Sequence, residues 1–335
     1  MQKTARHILV LDLSPFGESL ALLPAIRAVR ADYPRTFITV AASKGTCELL
    51  AASRLVDEVI DLGVIKSSNQ NFSASLGRIA RLFKSARRSD PDLVVDLSPR
   101  LETQVFTTAV LRARTVTPSK PLDVLDRLLS RTAGRSRADS HTADCRKALK
   151  QIGVEAALDR LGIELLPEED ARFERVLAEK GSRGGQPVVV LYSSGRAPSE
   201  SWPVESFAEL AERLAKNFAA RIVFVDEPGD SDFTDLLGAT LPDDAIKLRQ
   251  ARAVEVVAAV ARASLVITDD AGIAEMATDL GAPALEIARS KPERGLAKNR
   301  RVIHSAAPAR VTTDEVYHLA SEMLQESRLI TLFER

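Results

Sequence analysis

Residues 7–30 read HILVLDLSPFGESLALLPAIRAVR, and this stretch decides the fold class. Its first part is an apolar run typical of a buried strand, and its last part has the apolar spacing of an amphipathic helix. Between them lies a short polar turn that contains Gly17 and Glu18. An α/β domain presents a binding loop in this way, at the end of a parallel strand. The stretch therefore predicts an α/β fold with a candidate site at this turn.

Residues 263–283 read ASLVITDDAGIAEMATDLGAP and repeat this arrangement about 250 residues later. An apolar strand again precedes a polar turn, here with Asp270 and Gly272, and an amphipathic helix follows. The chain has 335 residues, which is long for one hydrophobic core. Two such loops in a chain of this length indicate two domains that face one cleft.

Strand-like and helix-like stretches alternate in both halves of the chain, which predicts a parallel sheet in each half. A segment rich in glycine and proline, residues 181–187, is the predicted linker. The expected domains are 1–180 and 187–311, followed by a last helix in 312–335. This organisation predicts two Rossmann-like domains in tandem.

The individual elements follow from the same patterns. In the first half the predicted strands are 7–13, 37–42, 58–62, 93–97 and 115–117, and the predicted helices are 18–32, 44–53, 73–88 and 101–112. A long helix is expected to end near Gly162, and another to begin at Pro167. In the second half the predicted strands are 188–192, 221–225, 245–248, 265–268 and 284–287, and the predicted helices are 204–217, 231–237, 253–262 and 273–280.

Composition excludes several classes of protein. The chain is 45% hydrophobic and 27% charged, its net charge is zero, and its apolar runs are too short for a spanning helix. The N-terminus lacks a signal-peptide pattern, and two cysteines without CxxC spacing fit a reducing compartment. The four histidines are scattered, and there is no HExxH motif. We therefore expect a cytoplasmic protein with no metal site, no other cofactor and no nucleic-acid partner.

The charge is distributed unevenly along the chain. Residues 1–180 carry 28 basic and 23 acidic side chains, whereas the remainder carries 18 and 23. An excess of basic residues is typical of a domain that binds an anionic partner. Solvated helix faces explain this excess equally well. The basic amphipathic stretch 75–88 is either a contact with anionic lipid headgroups or an ordinary surface helix.

The turn at residues 14–18 has two interpretations. Glu18 is a candidate general base for an incoming hydroxyl, because it stands where a helix begins after a strand. Alternatively it is a carboxylate that stabilises a helix N-terminus. The turn does not match GxGxxG, so it gives no support for a dinucleotide site.

The second half has two candidate loops. The small residues of 193–203 allow close approach to a phosphate, while Trp202 within this segment is expected to pack a helix onto the sheet. Asp270 is a suitable N-cap for the helix that follows it, and Gly272 with the exposed N–H groups of that helix is a candidate cradle for a diphosphate. Both interpretations of each loop stay open from the residues alone.

Several segments, taken in order, resemble glycosyltransferase family 9, the lipopolysaccharide heptosyltransferases. The turn at 14–18 matches the family's Ser-x-x-Gly-Asp, with Glu18 in the place of Asp. The other matching segments are 24–29 (PAIRAV), 56–60 (VDEVI), 202–214 (WPVESFAELAERL), 270–277 (DAGIAEMA) and 280–283 (LGAP). The resemblance extends over nearly the whole chain.

This resemblance implies a GT-B fold, two Rossmann-like domains with parallel sheets that face an interdomain cleft, and a last helix that returns to the first domain. It also implies an inverting, metal-independent transfer of a sugar from a nucleotide-diphosphate sugar to a lipopolysaccharide-type or other glycan acceptor. A phosphorylated glycolipid or saccharide acceptor implies peripheral contact with the inner face of the cytoplasmic membrane. The implied residues are Glu18 as base; Ser194, Gly195, Arg196, Asp270, Ala271 and Gly272 for the donor; and Ser14, Gly17, Arg127 and Arg131 for the acceptor. By analogy with doubly wound folds, Glu227 is a further donor-site candidate, for the ribose hydroxyls.

The chain departs from the family pattern at several donor-site positions. Glu200 stands where the family has Lys, Ala271 where it has Thr, and Glu275 where it has His. The alternative function is therefore a catalytically degenerate relative that acts as a scaffold or partner in envelope glycan assembly. A nucleotide-sugar epimerase of GT-B type is a third hypothesis.

Overall fold

The computed structural model describes residues 5–63, 90–97, 114–118, 137–193, 201–225, 241, 244–289 and 297–333. The chain divides into two compact units, residues 1–162 and 163–335. The boundary follows Gly162, upstream of the boundary expected at residue 180.

The described part of the first unit is built on a parallel sheet with the strand order β3-β2-β1-β4-β5. Strand β1 lies at its centre, and every one of its residues is buried, because helices cover the sheet. The elements are β1 (His7–Leu11), α1 (Phe16–Ser19), α2 (Leu22–Asp32), β2 (Phe37–Ala42), α3 (Lys44–Ser53), β3 (Glu58–Asp61), β4 (Leu93–Asp96), β5 (Arg114–Val116) and α4 (Arg137–Gln151).

The second unit contains a parallel sheet with the order β11-β10-β9-β6-β7-β8 among the described strands. Trp202, Phe207 and Leu214 belong to the apolar core that packs on it. The elements are α5 (Pro167–Glu179), β6 (Val188–Tyr192), α6 (Val204–Phe218), β7 (Arg221–Val225), β8 (Ile246–Leu248), α7 (Ala253–Ala261), β9 (Leu265–Thr268), α8 (Ala271–Asp279), β10 (Ala284–Ala288), β11 (Arg300–His304) and α9 (Thr313–Phe333). The α/β fold class predicted from the sequence is confirmed.

The helix predicted at 18–32 is two helices in the structure. Helix α1 ends at Ser19 and α2 begins at Leu22. Pro24 explains the break, because it lacks an N–H and its ring would meet the carbonyl of Leu20 in a continuous helix. In α2 the same residue lies in the first turn, where no intrahelical donor is needed. Glu18 therefore lies on a helix of a single turn.

Two further elements differ from the sequence predictions. The long helix expected to end near Gly162 ends at Gln151, because Gly153 adopts a positive φ of 73° and Val154 N–H returns to the carbonyl of Leu149. Strand β11 was not predicted from the sequence. It begins with two arginines and lies at the edge of the sheet, where most of its residues are partly exposed. Its sequence therefore lacks the apolar pattern that marks the buried strands.

Helices α5 and α9 are attached to the second unit by polar contacts. Arg262, which follows α7, binds Asp170 of α5 at 2.6 Å and lowers the pKa of that carboxyl. Arg213 of α6 binds Asp314 of α9 at 2.6 Å and stacks on the ring of Tyr317. The return of the last helix to the first domain stays a prediction. Within the described residues, no helix is long and apolar enough to cross a membrane.

Candidate functional site

The first candidate site lies at the carboxyl edge of the sheet of the first unit. Strand β1 ends there and leads through Asp12 into the turn that carries Glu18, while β4 ends beside it at Asp96, the register partner of Leu11. Glu18 is half-buried, and its Oε1 atom is shielded from solvent. Ser14 and Gly17, the other predicted site residues of this turn, are buried close to it in sequence. The structure thus holds Ser14, Gly17 and Glu18 on one short turn.

The far end of this turn is fixed by α3. The hydroxyl of Ser19 donates to the carbonyl of Phe16 at 2.9 Å and also hydrogen bonds to Thr46 in the first turn of α3. Thr46 in turn bonds to the hydroxyl of Ser43 at 2.9 Å. The ring of Phe16 packs against Gly45 of the same helix turn. One helical turn has little stability of its own, so these contacts hold α1 in place.

The near end of the turn is fixed by Asp12, which is fully buried. Its Oδ1 atom accepts the N–H of Ser14 at 3.0 Å, and its Oδ2 atom lies 3.0 Å from Nε2 of His141 on α4. Burial lowers the pKa of His141, but the charge of Asp12 and the hydrogen bonds to Asp12 and Cys145 raise it well above its usual value. The short contact with the carboxylate makes Nε2 of His141 a hydrogen-bond donor to Asp12.

Sequence reasoning missed Asp12 and His141, because the histidines appeared scattered. One signal was present: Asp12 is a lone charged residue directly after five apolar or aromatic positions that form a buried strand. Such a buried carboxylate needs a partner. The partner lies 129 residues away in sequence, and a single sequence does not indicate which side chain it is.

The second candidate site lies at the carboxyl edge of the sheet of the second unit. Strand β6 leads into Ser193, a buried residue whose Oγ atom has no hydrogen-bond partner in the structure as described. Trp202 is fully buried; its indole N–H donates to the carbonyl of Val311 at 2.9 Å, and its ring meets Phe207 edge to face. Trp202 therefore packs α6 onto the sheet, as its place in the sequence indicated.

Helix α8 begins at this same edge, directly after β9. Oδ1 of Asp270 accepts the N–H groups of Gly272 at 2.8 Å and Ile273 at 3.2 Å. Asp269, one residue earlier, accepts the N–H of Trp202 at 3.2 Å and joins the two loops of this edge. Asp270 is thus an N-cap. The N–H groups of Gly272 and Ile273, which were candidate donors to a diphosphate, are bonded to its carboxylate.

The remaining predicted residues divide into two groups. Ala271 opens α8 beside Asp270 and Gly272, and Glu275 lies half-buried one turn further along the helix. Arg127, Arg131, Ser194, Gly195, Arg196, Glu200, Glu227 and the predicted helices 73–88, 101–112 and 231–237 lie outside the described residues. In the part of the chain that the structure describes, no group of three or more His, Cys, Asp and Glu side chains is arranged to hold a metal ion.

Comparisons with known proteins identify the fold. No family model and no curated protein sequence matches this chain. A glycosyltransferase of family 9 from Veillonella parvula is similar in structure, with a TM-score of 0.71, 18% identity and coverage of 97% of this chain and 99% of the other. The ADP-heptose lipopolysaccharide heptosyltransferase II of E. coli is also similar in structure, with a TM-score of 0.66 and 18% identity. The match covers 96% of this chain and 99% of the other.

A second class of enzyme is similar at a lower level. The UDP-GlcNAc 2-epimerase of Methanocaldococcus jannaschii, solved with UDP-GlcNAc and UDP, has a TM-score of 0.54 and 14% identity, with coverage of 96% of this chain and 93% of the other. The family 9 structures are similar over nearly their whole length and at higher scores. The chain therefore has the two-domain α/β fold, GT-B, of the family 9 glycosyltransferases, which confirms at the level of the fold the resemblance carried by its sequence motifs.

Proposed function

We propose that this protein is a glycosyltransferase of the heptosyltransferase type. It moves a sugar from a nucleotide-diphosphate sugar to a lipopolysaccharide-type or other glycan acceptor, with inversion and without a metal ion. The motifs at residues 14–18, 202–214 and 270–277 and the GT-B fold support this proposal. The single observation that carries it is the carboxylate of Glu18, half-buried at the carboxyl edge of a parallel sheet on a turn fixed at both ends.

Glu18 is the general base in this mechanism. It takes the proton of the acceptor hydroxyl while that oxygen bonds to the anomeric carbon, and the bond from this carbon to the diphosphate breaks with the electron pair leaving on the nucleotide. Attack opposite to the leaving group inverts the anomeric centre. Ser14 and Gly17 lie beside the base and bind the acceptor, and the basic residues Arg127 and Arg131 bind its phosphate groups.

The donor binds to the second unit in this proposal. Ser194, Gly195 and Arg196 follow β6, where the buried hydroxyl of Ser193 supplies a further polar group. The start of α8, residues 270–272, contributes to the diphosphate site, and Glu227 binds the ribose hydroxyls by analogy with other doubly wound folds. The ADP-heptose and UDP-GlcNAc named for the similar structures make ADP and UDP the first nucleotides to test.

A catalytically degenerate relative is the second candidate, and one observation favours it. The N–H groups of Gly272 and Ile273 already donate to Asp270, so the start of α8 offers a phosphate fewer donors than an uncapped helix. Glu200 and Glu275 add negative charge in this part of the sequence. In that case the protein acts as a scaffold or partner in envelope glycan assembly.

Calorimetric titration with ADP, UDP and GDP separates the two candidates. The transferase proposal predicts micromolar binding of one of them, and that nucleotide then defines the sugar donors to assay. Binding of none of the three would favour the degenerate relative. Conversion of the nucleotide sugar in the absence of any acceptor would instead indicate an epimerase.

The role of Glu18 is tested with Glu18→Gln. This variant should lose transfer by about 10²-fold or more and keep nucleotide affinity, because the amide cannot take the proton and the donor binds elsewhere. Glu48→Gln, on the neighbouring helix α3, is the matched control and should keep activity. Turnover of Glu18→Gln at the rate of the control would remove Glu18 from the mechanism.

The proposed acceptor places the enzyme in the cytoplasm, peripheral to the inner face of the cytoplasmic membrane. Sedimentation with vesicles that contain anionic lipid, compared with neutral vesicles, tests this location. Equal recovery with both vesicle types would contradict an electrostatic contact with the membrane.

A further inference from the structure

Asp12 joins three parts of the first unit through its backbone and its side chain. Its backbone N–H donates to the carbonyl of Ala41 at 2.9 Å, which continues the pairing of β1 with β2. Its Oδ1 atom holds the N–H of Ser14, and its Oδ2 atom holds Nε2 of His141, both at 3.0 Å. A fully buried carboxylate with these partners has one orientation, so the backbone of the turn is bonded to the same group as α4.

His141 lies on a helix that packs against three other elements of the first unit. Helix α4 packs against α1, α2 and β4. Apart from Asp12, these elements contribute Glu18 from α1, Asp96 from the end of β4, and Arg27, Arg30 and Asp32 from α2. Arg27 and Tyr33, the residue after α2, bond to the backbone carbonyls of Gly162 and Ile152. Helix α4 itself adds Asp144 and Cys145 close to His141 in sequence. Of the acidic groups, Asp12 forms a direct hydrogen bond with His141.

We propose that His141 and Asp12 are positioning residues for Glu18, an inference that rests on the proposed role of Glu18 as the base. Helix α1 is one turn long and needs an anchor at each end. Ser19 and Thr46 provide the anchor after Glu18, and the His141–Asp12 pair provides the one before it. His141 fixes Asp12, Asp12 fixes Ser14, and the carboxylate of Glu18 is thereby held where the acceptor hydroxyl arrives.

The test compares three variants of the full chain. His141→Gln keeps an N–H donor near the position of Nε2, His141→Met removes the donor at similar volume, and Leu149→Ala removes buried apolar volume from the same helix. Hydrogen exchange of the amides of residues 13–19 is measured for each, corrected for global stability. In parallel, kcat and the KM for the nucleotide sugar are measured with the donor that calorimetry identifies.

His141→Met should exchange these amides about tenfold faster or more, because a charge-assisted hydrogen bond is lost, and its kcat should fall while KM for the donor stays unchanged. His141→Gln should keep most of the wild-type protection from exchange and most of the wild-type kcat. Leu149→Ala should change neither the exchange of these amides nor kcat. Equal exchange in His141→Met and Leu149→Ala would overturn the proposal. Faster exchange with unchanged kcat would also overturn it, because Glu18 would then not depend on the pair.

A measurement on the unmodified protein keeps the proposal testable if a variant fails to fold. In ¹⁵N-histidine spectra at pH 7, His141 should carry a proton on Nε2, and an unprotonated Nε2 would overturn the pair. If the protein transfers no sugar but His141→Met loosens residues 13–19, the proposed function fails while the anchoring of the turn stands. If transfer occurs and His141→Met leaves the hydrogen exchange of residues 13–19 unchanged, only the positioning role fails.

Discussion

Gly45 lies against the ring of Phe16 so closely that a Cβ atom on Gly45 would be 2.7 Å from Cδ2 of that ring. Phe16 is buried and stands two residues before Glu18. The missing side chain in the first turn of α3 therefore lets the short helix α1 pack onto α3. The spacing at this contact, which no local pattern in the sequence reveals, contributes to the position of the proposed base.

The substitution Gly45→Ala tests this contact. The added methyl group should force the ring of Phe16 to shift and lower the free energy of unfolding by about 1–3 kcal/mol, as overpacking does. Denaturant unfolding measures the loss. Gly184→Ala is the control, because a Cβ there meets no atom within 4 Å, and it should leave stability unchanged within about 1 kcal/mol. Equal stability of both variants would contradict the tight contact at Gly45.

The buried His141–Asp12 pair predicts a pH dependence of stability. Burial lowers the pKa of His141, but Asp12 raises it well above its usual value, whereas the unfolded ring loses its proton near pH ~6.5. Above this pH the folded state therefore binds more protons than the unfolded state. The stabilisation that the His141–Asp12 pair provides is complete below about pH 6.5 and is lost as the pH rises through the pKa of His141 in the folded state. The stability difference between wild type and His141→Gln should shrink over that range.

Urea unfolding between pH 6 and pH 9 would measure this effect. Asp12→Asn is the comparison variant, because it removes the charge that raises the pKa of His141, and its stability should depend less on pH than that of the wild type. Identical pH slopes for wild type and His141→Gln would show that His141 does not change its proton binding on folding in this range.

A buried ion pair joins two strands of the second sheet. Glu286 of β10 accepts from Nε of Arg300 on β11 at 3.0 Å, and both side chains are largely shielded from solvent. Arg300→Met should cost about 3–5 kcal/mol of unfolding free energy, because it removes the guanidinium that is bound to the buried carboxylate of Glu286. The double variant with Glu286→Met should recover most of this loss.

The neighbouring residue Arg301 offers a matched control for that pair. It binds Glu322 and Glu326 of α9 near the surface, at 2.6 Å and 2.5 Å. Arg301→Met should cost only about 0–1 kcal/mol, since exposed ion pairs contribute little. Thermal unfolding of both variants provides the comparison, and a larger loss for Arg301→Met than for Arg300→Met would refute the assignment of the buried pair.

The cap of α8 predicts a further stability effect. Asp270→Ala leaves the N–H groups of Gly272 and Ile273 without their acceptor and should cost about 0.5–2 kcal/mol, while Asp270→Ser keeps an acceptor and should cost less. Circular dichroism melts measure both. A loss of nucleotide binding in Asp270→Ser at unchanged stability would mean that Asp270 contacts the donor in addition to capping the helix.

Local patterns in the sequence were enough to predict most of the fold. The apolar run before Glu18 and the run before Asp270 are strands β1 and β9, and the glycine that ends α4 is visible in the sequence even though the helix was expected to continue past it. The break between α1 and α2 was missed, although Pro24 marks it, because the apolar spacing of residues 18–32 continues through the break.

The sequence by itself determined the α/β class, the two sheets and the turn that carries Glu18, because these depend on the period of apolar residues and on turn chemistry within a few positions. Only the tertiary structure decided that His141 is the partner of Asp12, that Gly45 accommodates Phe16 and that Asp270 uses the donors of its own helix. These relationships depend on how elements pack and on the direction in which each side chain points. Burial in a low-dielectric interior gives these relationships their strength. A single sequence contains no signal for the packing of the elements or for the direction of a side chain.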